Sequence, residues 1–382
     1  MKPLKPLTID LITNKNCNMN CTYCFEQGKF KNQDMTPEFV NLLINFLKEK
    51  RDEYKYSFII IGGEPSLSKT LKYFASELQK EIKKNKIKVS KITYITNGLN
   101  LNIFNQFDID FWKDILEVQI SYDGKILQDQ RRIIKKNDKI ITTSDIVLKN
   151  IDEVYKTGVP LVIKSTITIF DFIHLKDIYD EFDELEKKYG VRYAVTEDKG
   201  SFFNLGDNYK EFIDNILKDN FSYIAKKEYQ KYLTDKKFLT KWFYGIELRP
   251  SQAVCSAGSG LIGINTTGEL MGCHIVDYYD NPEIDPNKIL TRYGNIQDPK
   301  SFDRFLKRKE IINRAKIHPE CEKCEAIYCT KCPMEKYGWN LNSKNPSYLL
   351  EHAYLPIDEK ICYFYKTISK YVFKVYNKLN LL

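Results

Sequence analysis

Three cysteines, Cys17, Cys21 and Cys24, fall within one short stretch, NKNCNMNCTYCFEQ. Spacings of three and then two intervening residues suit neither a disulfide nor one face of a helix. Three thiolates held together are a ligand set. An iron–sulfur cube is normally held by four Cys thiolates. If the chain supplies three, one iron keeps a position for a substrate or cofactor, as catalytic metal sites do. Structural zinc short of its fourth ligand and chance clustering are the competing readings. Seven further cysteines follow much later: Cys255, Cys273, Cys321, Cys324, Cys329, Cys332 and Cys362. The run CEKCEAIYCTKC sets two C-x2-C pairs too close together for a zinc ribbon, whose pairs lie about 15–20 residues apart. His274 directly follows Cys273. As a lone histidine it reads as structural, although it could be a ligand.

These residues need elements to position them. Strand-like runs rich in Ile, Val, Thr and Tyr occur at Leu7–Thr13, Ser57–Gly63, Lys91–Thr96, Leu116–Tyr122, Leu161–Ile169 and Val191–Glu197. Helical periodicity separates them, at Thr36–Lys50, Ser68–Lys84, Thr143–Gly158 and Ile173–Gly190. The first of these starts with a Thr cap followed by Pro. The last two end at Gly. Six β–α units predict a parallel sheet with helices outside, either a partial barrel or a doubly wound sheet. In both, ligands bind at the carboxyl ends of the strands. The three cysteines follow the first strand, Gly62-Gly63-Glu64-Pro65 the second and Thr96-Asn97-Gly98 the third, so these residues gather at one mouth. Past Lys199 the alternation stops, and residues 207–245 read as helical. From about Arg249 the chain is cysteine-rich, with a hairpin expected to turn at Thr267-Gly268. We divide the chain into residues 1–235 and 236–382.

The chain has 382 residues, is 43% hydrophobic and carries a formal net charge of +8. That is ample for a core and longer than one ordinary domain. The lysines mix with Asp and Glu along the chain, which describes a solvated surface rather than a nucleic-acid patch. The 26 tyrosines read as core and surface residues rather than base-stacking platforms. The amino-terminal MKPLKPLTID lacks the apolar core of a signal peptide, and no apolar run approaches a membrane span. A cytoplasmic location follows as an expectation, where thiols stay reduced and clustered cysteines point to metal.

Cys17-x3-Cys21-x2-Cys24, with Tyr23 before the third cysteine, resembles the signature of the radical S-adenosylmethionine (SAM) enzymes. Gly62-Gly63-Glu64-Pro65 resembles the family's GGEP element, Thr96-Asn97-Gly98 its strand-end TNG, Ser121-Tyr122-Asp123-Gly124 the S-x-D-G of peptide-modifying members and Asp129-x2-Arg132 their D-x2-R. The resemblance covers the first 200 residues. It implies a partial (β/α)6 TIM-like barrel whose Cys17, Cys21 and Cys24 bind a [4Fe–4S] cluster. The open iron would chelate S-adenosyl-L-methionine through its amino and carboxylate groups. Tyr23, Gly62, Gly63, Glu64, Pro65, Thr96, Asn97, Ser121, Asp123 and Arg132 would line the cofactor site. Glu64 can accept from an ammonium, and Arg132 can pair a carboxylate. One electron, from a flavodoxin or ferredoxin type of donor, would cleave the sulfonium. The resulting 5′-deoxyadenosyl radical would remove a substrate hydrogen atom.

Cys255-x12-Gly268-x4-Cys273 resembles the opening of the SPASM extension, which carries auxiliary clusters. The central run here is C-x2-C-x4-C-x2-C, where that family has C-x2-C-x5-C-x3-C. Carried over by position, Cys321, Cys324, Cys329 and Cys362 would close one auxiliary cluster. Cys255, Cys273 and Cys332 would hold the other with a non-Cys ligand or an open iron, making three [4Fe–4S] clusters in all. An open auxiliary iron could bind a substrate thiolate. The expected function is therefore a peptide maturase that forms a Cys thioether in a ribosomally made precursor. Carbon–carbon crosslinking and anaerobic sulfatase maturation are the alternatives within the class. A non-enzymatic iron–sulfur or zinc module is the alternative outside it, but leaves the GGEP and TNG elements unexplained. With the first cysteine at position 17 there is no room for an amino-terminal leader-binding domain, so a separate protein or a Lys-rich surface would recognise the leader. Asp123 and Glu197 are the candidate bases.

Overall fold

A computed structural model describes residues 3–24, 32–136, 139–244, 256–278, 292–313, 321, 324, 326 and 359–381. The first strand, β1 (Lys5–Ile12), is followed by α1 (Pro37–Glu49), β2 (Tyr54–Ile61), α2 (Leu71–Lys83) and β3 (Val89–Thr96). Two single-turn helices, α3 (Ile103–Gln106) and α4 (Ile109–Trp112), lead to β4 (Leu116–Ser121) and α5 (Lys125–Arg131). A small hairpin, β5 (Ile134–Lys136) and β6 (Lys139–Ile141), precedes α6 (Ser144–Lys156), β7 (Leu161–Ile167), α7 (Leu175–Tyr189) and β8 (Arg192–Glu197). Then come α8 (Tyr209–Ile216), α9 (Ser222–Asp235), the short α10 (Lys241–Tyr244), β9 (Leu261–Ile264), β10 (Glu269–Met271), the short α11 (Ile275–Tyr278), β11 (Arg292–Asn295), α12 (Lys300–Asn313) and α13 (Glu359–Leu379).

The six expected strands are present and pair in parallel in the order β1-β2-β3-β4-β7-β8. The other edge of β1 is taken by β9, also parallel, and β10 and β11 continue the sheet antiparallel. Among the described residues these six strands make one parallel run that does not pair β8 back onto β1. The alternation of buried and half-buried positions in β4, Leu116–Ser121, is the period-two pattern of a sheet covered on its helix side. In α1, Thr36 accepts from the Phe39 N–H at 3.2 Å, Pro37 takes the first turn, and Phe39, Val40, Leu43, Ile44 and Leu47 are buried as one stripe. Gly190 closes α7 in the left-handed conformation, φ 65°, as its sequence position requires.

The division after residue 235 falls at the end of α9. The expected hairpin forms as β9–β10, with Gly268 at φ 88° donating to the Asn265 carbonyl at 3.0 Å. Within α9, Glu228 is fully buried and accepts from the Leu239 and Thr240 amides just past the helix, each at 2.8 Å. Burial pushes its carboxyl from 4.5 up to about 7 against those two bonds. The folded chain thus keeps a proton between roughly pH 4.5 and 7 that the unfolded chain has released. The stability this lends is full below about 4.5 and is lost as pH rises through 7, a fall on the order of 3 kcal/mol. Glu228→Gln is expected to remove this fall. Urea unfolding of both proteins at pH 5 and pH 8 checks it, and equal pH dependence in the two would contradict it.

Candidate active site at the strand carboxyl ends

The segment that follows β1 is pinned by close backbone approach. Asn14 is fully buried, its side-chain amide donates to the Glu64 carbonyl at 2.8 Å, and its own carbonyl accepts from Gly63 at 3.1 Å. Asn16 accepts from the Glu64 amide at 2.7 Å. A Cβ on Gly62 would stand 2.5 Å from the Asn14 carbonyl oxygen, and one on Gly63 would stand 2.2 Å from that of Asn16. The paired glycines are thus explained by the backbone they touch. Gly63→Ala is expected to push the cysteine segment out of place and to lower iron uptake by about four per chain, one cube. Iron analysis of variant and wild type after the same reconstitution, with circular dichroism to show a kept fold, measures this.

Glu64 ties three strand ends together. It is 1% exposed, and its Oε1 accepts from the Ser66 amide at 3.0 Å and the Thr96 hydroxyl at 2.8 Å, while Oε2 accepts from the Asn97 amide at 2.7 Å. Burial raises its pKa, opposed by those hydrogen bonds. Pro65 begins a 3-10 turn for which Glu64 is the cap. Asn97 then reaches the cysteine segment, donating to Asn18 at 2.7 Å and lying 3.9 Å from the Cys17 sulfur.

Tyr23 anchors the far side of the same segment. Its hydroxyl donates to Asp123 Oδ2 at 2.7 Å and accepts from Arg132. Asp123, fully buried after β4, also accepts from the Thr166 amide at 2.8 Å and pairs with Arg131 at 3.3 Å. Arg131 stacks over the Tyr23 ring at 4.7 Å and pairs with Asp171. Burial alone would lower the Arg132 pKa, but Tyr23, Cys21 and Asp123 outweigh it and raise it. Asp129 fixes this region by accepting from the Thr143 and Ser144 amides at 2.9 and 2.8 Å. Arg131, Asp171 and Asn14 were not singled out from sequence. The doubled arginine was the one available signal for Arg131, whereas Asn14 and Asp171 act through partners distant in the chain.

The cysteines themselves are half-buried. Burial pushes the Cys17 thiol up to about 12 and raises that of Cys21, which Arg132 partly offsets. Such thiols are neutral at pH 7 and ionise when a metal replaces the proton. Among the described residues no three His, Cys, Asp or Glu converge on one metal position. In kind, the donor set fits an iron–sulfur cube. Beside it, Arg132 Nε is a buried donor without a hydrogen-bond partner, which fits a carboxylate ligand next to that cube.

Ser121 ends β4. Glu197 accepts from Trp242 Nε1 at 2.6 Å and from the Tyr365 hydroxyl at 3.4 Å, which ties β8 to α10 and α13. Cys273 and Cys321 are buried, Cys324 and Cys362 are half-buried, and Cys255, Cys329 and Cys332 lie outside the described residues. His274 Nδ1 is 2.7 Å from Asp10 Oδ2, joining the end of the β9–β10 hairpin to β1.

Thiols, glycines and buried arginine at the mouth of a parallel sheet are the parts of a radical SAM site, and residues 11–185 match the Radical SAM superfamily. That match makes residues 11–185 the chain's radical SAM domain. Two relatives, both named GTP 3′,8-cyclase and from two strains of Helicobacter pylori, are similar to it. One is 25% identical over 162 residues, 42% of this chain and 46% of the relative, so the chain spans less than half of it. The other is 24% identical over 320 residues, 80% of this chain and 89% of the relative. In fold, the chain is similar to native anSMEcpe with bound AdoMet and Cp18Cys peptide, with a TM-score of 0.65, 21% identity and coverage of 98% of this chain and 99% of that one. It is also similar to Streptococcus suis SuiB bound to S-adenosylmethionine, with a TM-score of 0.55, 13% identity and coverage of 84% and 71%. No helix among the described residues is long and apolar enough to cross a membrane.

Proposed function

We propose that this enzyme modifies a ribosomally made precursor peptide, closing a thioether between a Cys sulfur and a backbone or side-chain carbon. The carrying observation is a fold shared over 98% of the chain with a structure that holds both AdoMet and a peptide. SuiB is likewise known bound to its precursor peptide SuiA. In this reading Cys17, Cys21 and Cys24 hold the first [4Fe–4S] cluster. Cys321, Cys324, Cys329 and Cys362 hold a second in a SPASM-type carboxyl-terminal region, and Cys255, Cys273 and Cys332 hold a third. Bound cluster and AdoMet together supply a 5′-deoxyadenosyl radical that takes a hydrogen atom from the peptide.

The chain's own residues do the positioning. Arg132 holds the cofactor carboxylate with its unpartnered Nε. Glu64 Oε2, which has one protein donor, takes the ammonium with its second lone pair. Gly62 and Gly63 let the strand end approach closely, and Asn97 spans from that end to the cysteine segment. Tyr23 and Asp123 hold Arg132 in place, Asp123 as a positioning residue because Arg131 and Thr166 already engage it. Cys255, Cys273 and Cys332 would hold a cluster able to bind the peptide Cys as a thiolate, its proton released to solvent, and to accept the one electron given up when the carbon radical and sulfur join.

The test is anaerobic incubation of reconstituted enzyme, AdoMet and reductant with a Cys-bearing precursor, with GTP as the alternative substrate. The expected product has lost two hydrogens per crosslink, and no crosslink forms when the peptide Cys is replaced by Ala. An unchanged peptide mass, a crosslink that survives loss of the Cys, or conversion of the Cys to formylglycine would each contradict the thioether reading.

A further inference from the structure

The connection that leaves β7 begins with a 3-10 turn, Ile169–His174, and the one that leaves β8 with another, Lys199–Asn204. Both turns stand at the carboxyl ends of the sheet, on the side that carries the cysteine segment. In a 3-10 turn, side chains three residues apart eclipse one another. Ile169–His174 therefore presents three rows of two. Ile169 and Phe172 form one row and are fully buried, with the Phe172 ring 5.2 Å from Phe364 and 6.0 Å from Trp242. Asp171 lies in the second row. It accepts from the Thr168 amide and hydroxyl, each at 2.6 Å, and pairs with Arg131, which stacks over the Tyr23 ring. Phe170 and Ile173 form the third row and are 41% and 60% exposed.

This row has a rigid support. The Ile169 amide donates to Ser201 Oγ at 3.0 Å, which ties the two turns together, and Ser201 Oγ donates to the Asp198 carbonyl at 2.6 Å. Phe202 of the second turn packs on the same Phe364, at 5.0 Å. The Phe170 ring leans on Phe212 of α8, 5.7 Å away. One exposed apolar side chain is ordinary on a protein surface. Two in one row, on a turn whose neighbouring residues are buried or bonded, make a prepared surface.

The position of the row says what covers it. Asp171 directly follows Phe170, so the row is one residue from the ion pair that braces Tyr23 in the candidate site. Two side chains offer far less than the roughly 800 Å² per partner of a stable protein interface. A net charge of +8 also opposes a second copy of the chain. The row does match one large apolar side chain, because a rise of about 2 Å per residue sets its two members about 6 Å apart.

We propose that the Phe170–Ile173 row receives one large apolar side chain (Leu, Ile or Phe) of the precursor peptide as the peptide lies across the mouth of the sheet. The inference rests on the peptide reading and adds a sequence preference to it. It does not depend on thioether formation. Phe170 and Ile173 select the substrate and take no part in the chemistry.

The test uses the reconstituted full chain with AdoMet and no reductant, so that peptide binds without reacting. The probes are two fluorescent synthetic peptides with a single Cys in a Gly and Ser background, identical except that every Leu of one is Asn in the other. By fluorescence anisotropy, wild type is expected to bind the Leu peptide about tenfold more tightly, the effect of burying one such side chain. Phe170→Ser with Ile173→Ser is expected to bring the two affinities within about twofold of each other. Phe170→Leu with Ile173→Val is expected to keep the preference. The Kd for AdoMet is expected to stay within about twofold of wild type in both variants. Equal binding of the two peptides by wild type overturns the proposal, and so does a preference that survives in the Ser variant. A Ser variant that loses AdoMet affinity in step with peptide affinity also overturns it, by making the row a support of the Asp171–Arg131 pair. A wild-type dimer that the Ser variant loses in sedimentation, with the peptide preference intact, assigns the row to a second copy instead. Failure of wild type to bind either peptide strikes the peptide reading and this proposal with it, whereas peptide binding without a preference strikes this proposal alone.

Discussion

Cys21→Ala is expected to abolish 5′-deoxyadenosine formation, a loss of at least about a thousandfold, while removing about four irons per chain, one cube. Two thiols cannot hold a cube, and no other Cys is near enough in sequence to replace the third. The neighbouring Asn20 and Thr22 donate through their backbones to the Ile133 and Arg131 carbonyls, at the junction of α5 and β5, which the substitution leaves intact, so fold and AdoMet-independent properties should persist. Iron analysis and product chromatography on the same preparation make the measurement. A variant with wild-type iron content and product yield would remove Cys21 from the site.

Arg132→Met is the second large effect. The side chain is 7% exposed, its Nε has no partner and its Nη1 donates to Tyr23. Methionine keeps the volume and stem but neither the charge nor the fork. The KM for AdoMet is expected to rise about a hundredfold, the loss of one charge-assisted carboxylate contact of about 2–3 kcal/mol. Arg131→Met would act differently. Arg131 is engaged with Asp123, Asp171 and the Thr166 carbonyl, so its removal takes the cationic partner from the buried Asp123 and the half-buried Asp171 and lowers stability rather than affinity alone. Initial rates against AdoMet concentration, alongside thermal unfolding, separate the two. An Arg132 variant with unchanged KM would place the carboxylate elsewhere.

Local chemistry was legible in the sequence, and long-range chemistry was not. Cys17, Cys21 and Cys24, the Gly62-Gly63 pair and the six strands declare themselves within a few residues each, because ligand spacing, close approach and period-two burial are local patterns. The role of Glu64 was only half legible. Its sequence placed it at a strand end, but its bonds to Thr96 and Asn97 span more than thirty residues. The joining of His274 to Asp10 spans 264 positions, and no pattern near either residue announces it. The β5–β6 hairpin escaped for another reason. Three-residue strands are too short for alternation to stand out, and the Ile and Lys of IIKKNDKII fit a helix or a loop equally well. The carboxyl-terminal assignments of Cys255, Cys329 and Cys332 rest on spacing and resemblance.

The central claim is an iron that no side chain caps. Paramagnetic resonance of the anaerobically reduced, reconstituted protein, recorded without and with AdoMet, addresses it most directly. Ligation of the nucleotide's amino and carboxylate groups to that iron predicts a cluster signal whose g-values shift on adding AdoMet, and predicts that Cys21→Ala abolishes the shift. A reduced-cluster signal in the wild type that AdoMet leaves unaltered would contradict the account.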